Sequence, residues 1–341
     1  MKCLVTGLAA GSIATTLLTA QLTALAGLAR AADPHPSTIG VQIENDLFGD
    51  GRDQHYTNGI QFTFTAGDAF IPDWHKSSLG NLPYIDPKVH SIQYVAAIGQ
   101  KMYTPEDTSL KIPGPTDRPY AGWLFASLGA AVGDAKSDFL QNGSLDIGIA
   151  GPLSGAGYTQ RRYHTLINVG VPRGWGEQLD SEPGLLLTYQ ARLRKKLLGR
   201  KDMIEVDFLP SAGAALGNIL IQATVGVSIR IGQNLDLTCG PPFIRPSLPA
   251  AVLVTQKGAF GWNIFAGVEG RAVGHDIFLD GNTFGSGPSV DKETFAADFQ
   301  GGAEVILGRA RVTFTQILRT REFAGQESRS QFGSISLSYI V

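Results

Sequence analysis

The sequence predicts an all-β protein: a twelve-stranded antiparallel transmembrane β-barrel with one short helix that forms part of a site. Three observations lead there. Long stretches alternate apolar and polar residues with period two. Beyond the first thirty or so residues, no apolar run is long enough for a membrane helix. The chain also closes on a strand whose second face is small and polar. The clearest alternation sets Ile219, Ile221, Ala223, Val225, Val227, Ile229 and Ile231 against Gln222, Thr224, Ser228 and Arg230. The final segment sets Ile335, Leu337, Tyr339 and Val341 against Ser334, Ser336 and Ser338, and Met203 to Leu209 alternates too. A small soluble barrel would also alternate. Segment length, the terminal strand and the small polar face favour the membrane form.

In chain order, the first element is a leader. Met1-Lys2 is followed by an uncharged stretch to Ala29, and Ala29 and Ala31 satisfy the small-x-small rule for cleavage. A membrane anchor competes with this reading, but the Gly and Thr content favours a signal peptide over residues 1–31. One exported domain, 32–341, then remains. Twelve strand segments follow, at 39–48, 57–66, 91–103, 121–133, 143–150, 184–197, 202–216, 218–231, 260–274, 292–306, 309–323 and 331–341. Turn residues near 199, 217 and 308 separate several of them. An even count lets a barrel close without unpaired edges in lipid. The chain ends Tyr339-Ile340-Val341, with the aromatic residue in the right phase although not at the terminus. The formal net charge of −2 argues against a nucleic-acid partner. Cys3 leaves with the leader, so Cys239 has no disulfide partner and reads as a packed or loop thiol.

Residues 154–170 break the alternation and predict a short helix, with Ser154 as a candidate N-cap. Gln160 and His164, four apart, share one face of it. Spanning the membrane does not need such a helix, so it is a plug or part of a site.

Four places could carry chemistry. Glu44-Asn45-Asp46 puts three adjacent polar groups at the start of what otherwise reads as a strand, where ladders disfavour Asn and Asp. Alternation would put Glu44 and Asp46 on one face and Asn45 on the other; a bulge would disturb this and could bring Asn45 and Asp46 together as hard oxygen ligands for Ca²⁺, with a hydrogen-bonded cluster in the lumen as the bland alternative. Thr57-Asn58-Gly59 opens the second strand, Asn58-Gly59 reading as a turn and His55 as an exposed loop residue. His164 is the best general-base candidate. Arg118, in Asp117-Arg118-Pro119-Tyr120, suits a phosphate or a solvated turn equally. There is no Gly-x-Ser-x-Gly elbow.

Taken in order, the blocks "IENDLF" with "DQHYTNG", "GQKMYTP", "DRPYAGW", "GPLSGAGYTQRRYH" with "PRGWGEQLDSEPG", and "FLDGNTF" with "SVDKETF" resemble those of the outer-membrane lipid A 3'-O-deacylases. They span nearly all of the mature chain. The resemblance implies a twelve-stranded barrel in the outer membrane of a Gram-negative bacterium, with the site between the wall and a short helix. It implies Ca²⁺-dependent hydrolysis of the 3'-ester of lipid A, releasing an acyloxyacyl group. By the same resemblance, Asn45, Gln160 and His164 are catalytic, and Asp46 and Asn45 hold the metal on the lumen side of the first strand. Arg118 and Lys101 would meet the glucosamine phosphates, and Thr57 is a further polar site residue. One more carboxylate is expected from among Glu44, Glu177 and Glu182. The partner expected is lipopolysaccharide among outer-membrane lipids, with the chain a monomer. The rivals are an outer-membrane phospholipase using Ser154, a passive porin-like barrel and a soluble periplasmic β-protein.

Overall fold

The computed structural model describes residues 36–48, 54–66, 92–133, 138–199, 203–242 and 259–341. The leader, Asp53 and residues 243–258 lie outside these. The strands are β1 (Thr38–Asn45), β2 (His55–Ala66), β3 (Ile92–Thr104), β4 (Ala121–Val132), β5 (Phe139–Ala150) and β6 (Glu182–Leu193, continued past Arg194 by Lys195–Leu198). They are followed by β7 (Ile204–Gly217), β8 (Leu220–Gln233), β9 (Ala259–Asp276), β10 (Phe295–Gly308), β11 (Ala310–Arg319) and β12 (Ser330–Ile340). Each strand pairs antiparallel with its neighbours. The first and last pair from Thr38↔Ile340 to Asn45↔Gly333, closing the barrel at twelve strands. Closure satisfies every ladder without an edge, as lipid requires.

The alternation sorts the two faces as the sequence predicts. On β8, Val225 is 68% exposed, whereas Thr224, Ser228 and Arg230 are buried. The apolar face is therefore outside and the polar face inside, the inverse of a soluble barrel. Buried charges need partners, and the lumen supplies them in two layers. Toward the end that carries the chain termini, Asp207 accepts from Arg194 Nε at 2.8 Å and from Arg230 Nε at 2.9 Å. Residues just after β8 fold inward there: Leu235 N donates to Glu205 at 2.9 Å, and Arg192 reaches Pro241 O at 2.7 Å. At the opposite end, Arg319 forks onto Asp298 at 2.7 and 2.9 Å and meets Glu322 at 3.2 Å. Arg271 is 3.4 Å and Arg118 3.6 Å from the same Glu322 carboxylate. A cavity of about 40 Å³ remains in this upper layer, between Lys101, Tyr103, Arg271 and Glu322.

Candidate active site on the outer wall

Directly paired residues of an antiparallel ladder point to the same side of the sheet. Two adjacent rows can therefore be followed around the barrel. One is Glu44–Gly59–Lys101–Trp123, and the next is Asn45–Asn58–Met102–Gly122. The first row faces the lumen: Glu44 accepts from Gln42 Nε2 at 2.9 Å and from the Tyr56 hydroxyl. The second faces outward, in phase with Ile43 and Leu124, which are 41% and 37% exposed.

The Glu44-Asn45-Asp46 triplet is thus split, which corrects the expectation of a single lumen-side site. Glu44 is inside. Asn45 is on the outer wall. Asp46 opens the 3-10 turn Asp46–Phe48, and its Oδ2 accepts from Gln54 N at 2.8 Å. The first strand keeps its register through Asn45, so the bulge expected there is absent; a bulge lies one strand over, at Thr57, between the pairs Tyr56↔Tyr103 and Asn58↔Met102. It reverses the phase of β2, so that Tyr56 points in while Asn58 points out beside Asn45. Asn58 is therefore a strand residue and not the turn expected. Thr57 is buried, its hydroxyl 2.6 Å from that of Thr104. His55 is also not the exposed loop residue expected. It is fully buried at a left-handed φ of 65°, edge-on to Phe323 at 5.9 Å.

The predicted helix is α1 (Ala156–Ile167). Its N-cap is Gly155, at φ 71°, and not Ser154. Ser154 sits in the preceding 3-10 turn, and its hydroxyl donates to Gly151 O at 2.6 Å. Asn168, at φ 57°, ends α1 in the left-handed conformation. The face carrying Ala156, Gly157, Gln160 and His164 is buried. It rests on the outer wall at Gly122, where a Cβ would stand 2.1 Å from Ser154 Oγ and 2.5 Å from Ala156 Cβ. Gln100 fixes the start of this segment by donating to Ser154 O at 2.7 Å. The turn Trp175–Glu177 then folds back over the helix. Trp175 packs on Tyr120 at 5.0 Å and donates from Nε1 to Gln160 Oε1 at 2.6 Å. His164 Nδ1 lies 2.5 Å from Gly170 O. A carbonyl only accepts, so Nδ1 carries the proton and Nε2 is the basic nitrogen.

The expected helix pair therefore lies where α1 meets the wall, and Asn45 and Asn58 continue the row of wall residues that α1 covers. The other expectations fall elsewhere. Lys101, in the lumen row, stands 5.4 Å over the Phe125 ring. Arg118 is 1% exposed, stacked 4.7 Å over Tyr103. Both are on the lumen side, away from α1, because strand phase and the inward course of the loop before β4 put them there. Of the acidic candidates, Glu182 accepts from Asn218 Nδ2 at 3.1 Å and Thr283 N at 2.9 Å, tying loops together, and Glu177 is exposed. Asn58, Gly122, Tyr120 and Trp175 were not expected in the site from sequence, although all four fall inside the blocks quoted above.

Among the described residues, no three His, Cys, Asp or Glu side chains stand together as metal ligands. Asp46 and its neighbour Asn45 would offer a carboxylate and an amide oxygen, hard donors of low total charge. Such a set fits Ca²⁺ only if carbonyl, water or substrate oxygens complete its shell of six to eight.

The fold defines a class: a closed twelve-stranded outer-membrane β-barrel, here with a short helix docked on its outward wall. A family model described as outer membrane protein LpxR matches residues 13–341, and the chain belongs to that family. It is the lipid A 3'-O-deacylase family that the sequence blocks resemble. Among solved structures, LpxR from Salmonella typhimurium matches with a TM-score of 0.72 at 19% identity, over 89% of this chain and 100% of that one. The β-domain of the autotransporter BrkA from Bordetella matches with a TM-score of 0.45 at 8% identity, over 91% of this chain and 100% of that one. No curated protein matches the chain.

Proposed function

We propose that this protein hydrolyses the ester at the 3'-position of lipid A, with His164 as general base and a Ca²⁺ requirement. The observation that carries the reading is the His164 Nδ1 contact with Gly170 O, at 2.5 Å, on the wall-side face of a helix docked outside the barrel; it leaves Nε2 to act as base. Lipid in the outer leaflet can reach that face laterally, without entering the lumen.

His164 Nε2 takes a proton from water, and the water oxygen attacks the ester carbonyl. Collapse of the tetrahedral intermediate breaks the bond to the sugar oxygen, which receives the proton back from the imidazolium. The products are the free acyloxyacyl acid and the sugar hydroxyl. Gln160, held by Trp175, keeps its amide directed beside the base. Asn45 and Asn58 present amides along the wall toward the developing oxyanion. Asp46, with Asn45, would hold Ca²⁺, which when bound polarises the ester carbonyl.

The rivals fit less well. The Ser154 hydroxyl is committed to Gly151 O and buried beneath the helix start, which disfavours a serine phospholipase. Two ion-pair layers occupy the lumen, which disfavours a porin. The test is a mass spectrum of lipid A from cells making the protein or His164→Ala. Loss of the 3'-acyloxyacyl mass in the first alone supports the reading. Unchanged lipid A from a folded wild-type barrel refutes it. Hydrolysis that survives a calcium chelator would remove the metal from the mechanism.

A further inference from the structure

The face of α1 opposite Gln160 and His164 has no role in the chemistry above. It carries Tyr158, Arg162 and Leu166 at i, i+4 and i+8, all exposed, Tyr158 by 65% and Leu166 by 81%. The Arg162 guanidinium lies 5.8 Å over the Tyr158 ring. Arg161 is exposed beside them. Among the described residues, neither arginine forms an ion pair. From Ser154 to Gly174 the chain has three arginines and no acid.

The surroundings of this face give the stripe its meaning. Because α1 rests on the outward side of Gly122, its far face continues the lipid-exposed wall, where Leu124 and Ile147 are 37% and 56% exposed. A helix with a tyrosine and a leucine beside unpaired cations, lying on a membrane wall, matches an interfacial element. A guanidinium suits a phosphate through two parallel hydrogen bonds.

We infer that the outer face of α1 is a lipid-headgroup surface, on which Arg161 and Arg162 bind the phosphates of lipid A in the leaflet beside the site. Tyr158 and Leu166 seat the helix at the acyl boundary. The proposal takes the identity of the lipid from the function proposed above, but it does not depend on hydrolysis. Phosphate binding there would hold α1 at headgroup level, with its inner face at the depth of the ester.

The test uses the full chain with His164→Ala, so that bound lipid stays intact, purified in detergent and examined by native mass spectrometry. The probes are bisphosphorylated lipid A, dephosphorylated lipid A and phosphatidylcholine. Arg161→Gln with Arg162→Gln should weaken retention of the bisphosphorylated lipid by about fivefold per arginine and leave the other two unchanged. The double lysine variant should restore part of the loss. Equal retention by the glutamine variant and its parent overturns the proposal, as does an equal loss for phosphatidylcholine. Heat-resistant migration on gels verifies that each variant is folded. A wild-type barrel that does not hydrolyse lipid A, yet shows this phosphate dependence, would refute the deacylase reading and leave the surface standing.

Discussion

Gly122→Ala separates an outer-wall site from a lumen site more sharply than any change to the polar residues. Gly122 faces outward, so a methyl there enters the contact between β4 and α1. The added Cβ would be 2.1 Å from Ser154 Oγ and 2.5 Å from Ala156 Cβ, where ordinary contact begins near 3.4 Å. The segment holding the start of α1 must then retreat by roughly an ångström, at about 1–3 kcal/mol of overpacking. Gln160 and His164 ride on that helix. A misplacement of about an ångström costs on the order of a hundredfold in rate. The ladder itself is untouched, because Gly122 still pairs with Met102 through backbone groups. The expected result is a barrel that migrates as folded on an unheated gel, with lipid A deacylation down by about two orders of magnitude. Gly143→Ala is the control, since the nearest atom to its Cβ would be Thr188 O at 3.9 Å; it should keep full activity. Wild-type hydrolysis by a folded Gly122→Ala barrel would show that the chemistry does not depend on how α1 meets the wall.

Three further expectations follow. Trp175→Phe keeps most of the packing but removes the Trp175 donor from Gln160 Oε1, a local cost of roughly 1–3 kcal/mol that falls on α1 and not on the strand ladder; the deacylation rate should drop at least tenfold while the barrel's melting is unchanged. Asn58→Leu puts an apolar residue on the lipid-facing wall, so it should slow hydrolysis without destabilising the barrel; a lower melting temperature with normal activity would make the amide structural. Burial pushes the Glu322 carboxyl up, but Arg319, Arg118 and Arg271 outweigh it and bring it down to about 2 from 4.5. Its folded value is depressed, so its contribution is complete above about pH 4.5 and is lost as the pH falls through about 2. The barrel's thermal resistance should fall across that window, and Glu322→Gln should flatten the fall while costing roughly 3–5 kcal/mol at neutral pH.

The fold was legible because alternation with period two is a local property that the membrane enforces strand by strand. All twelve segments exist, with ends displaced by a few residues; β11, for example, stops at Arg319 and not at 323. The site was legible only in part, and the reason is phase. Gln160 and His164 are four apart on one helix, so their shared face follows from sequence spacing. Asn45 and Asn58 share a face only because a bulge at Thr57 shifts the parity of β2. No single-residue pattern announces such a slip. The same parity sends Lys101 inward, where the resemblance implied a phosphate contact, and Glu44 with it, a candidate for the further carboxylate of the site. Likewise, the burial of His55 depends on a left-handed backbone and on Phe323, from the other end of the chain.

This division has a consequence for how the protein tolerates change. The stabilising charge network lies in the lumen, in side chains such as Asp207, Arg230, Asp298 and Arg319, which no lipid reaches. The groups assigned to the chemistry lie on the other side of the same strands and on a helix that the sheet does not need for closure. A barrel of this kind can lose α1's contact with Gly122 without losing a ladder hydrogen bond. Substitutions along the outer row should therefore change rate far more than stability, and those in the lumen the reverse. Lys101 and Trp123, one residue away from Met102 and Gly122 on the same two strands, give the sharpest pairing for that contrast.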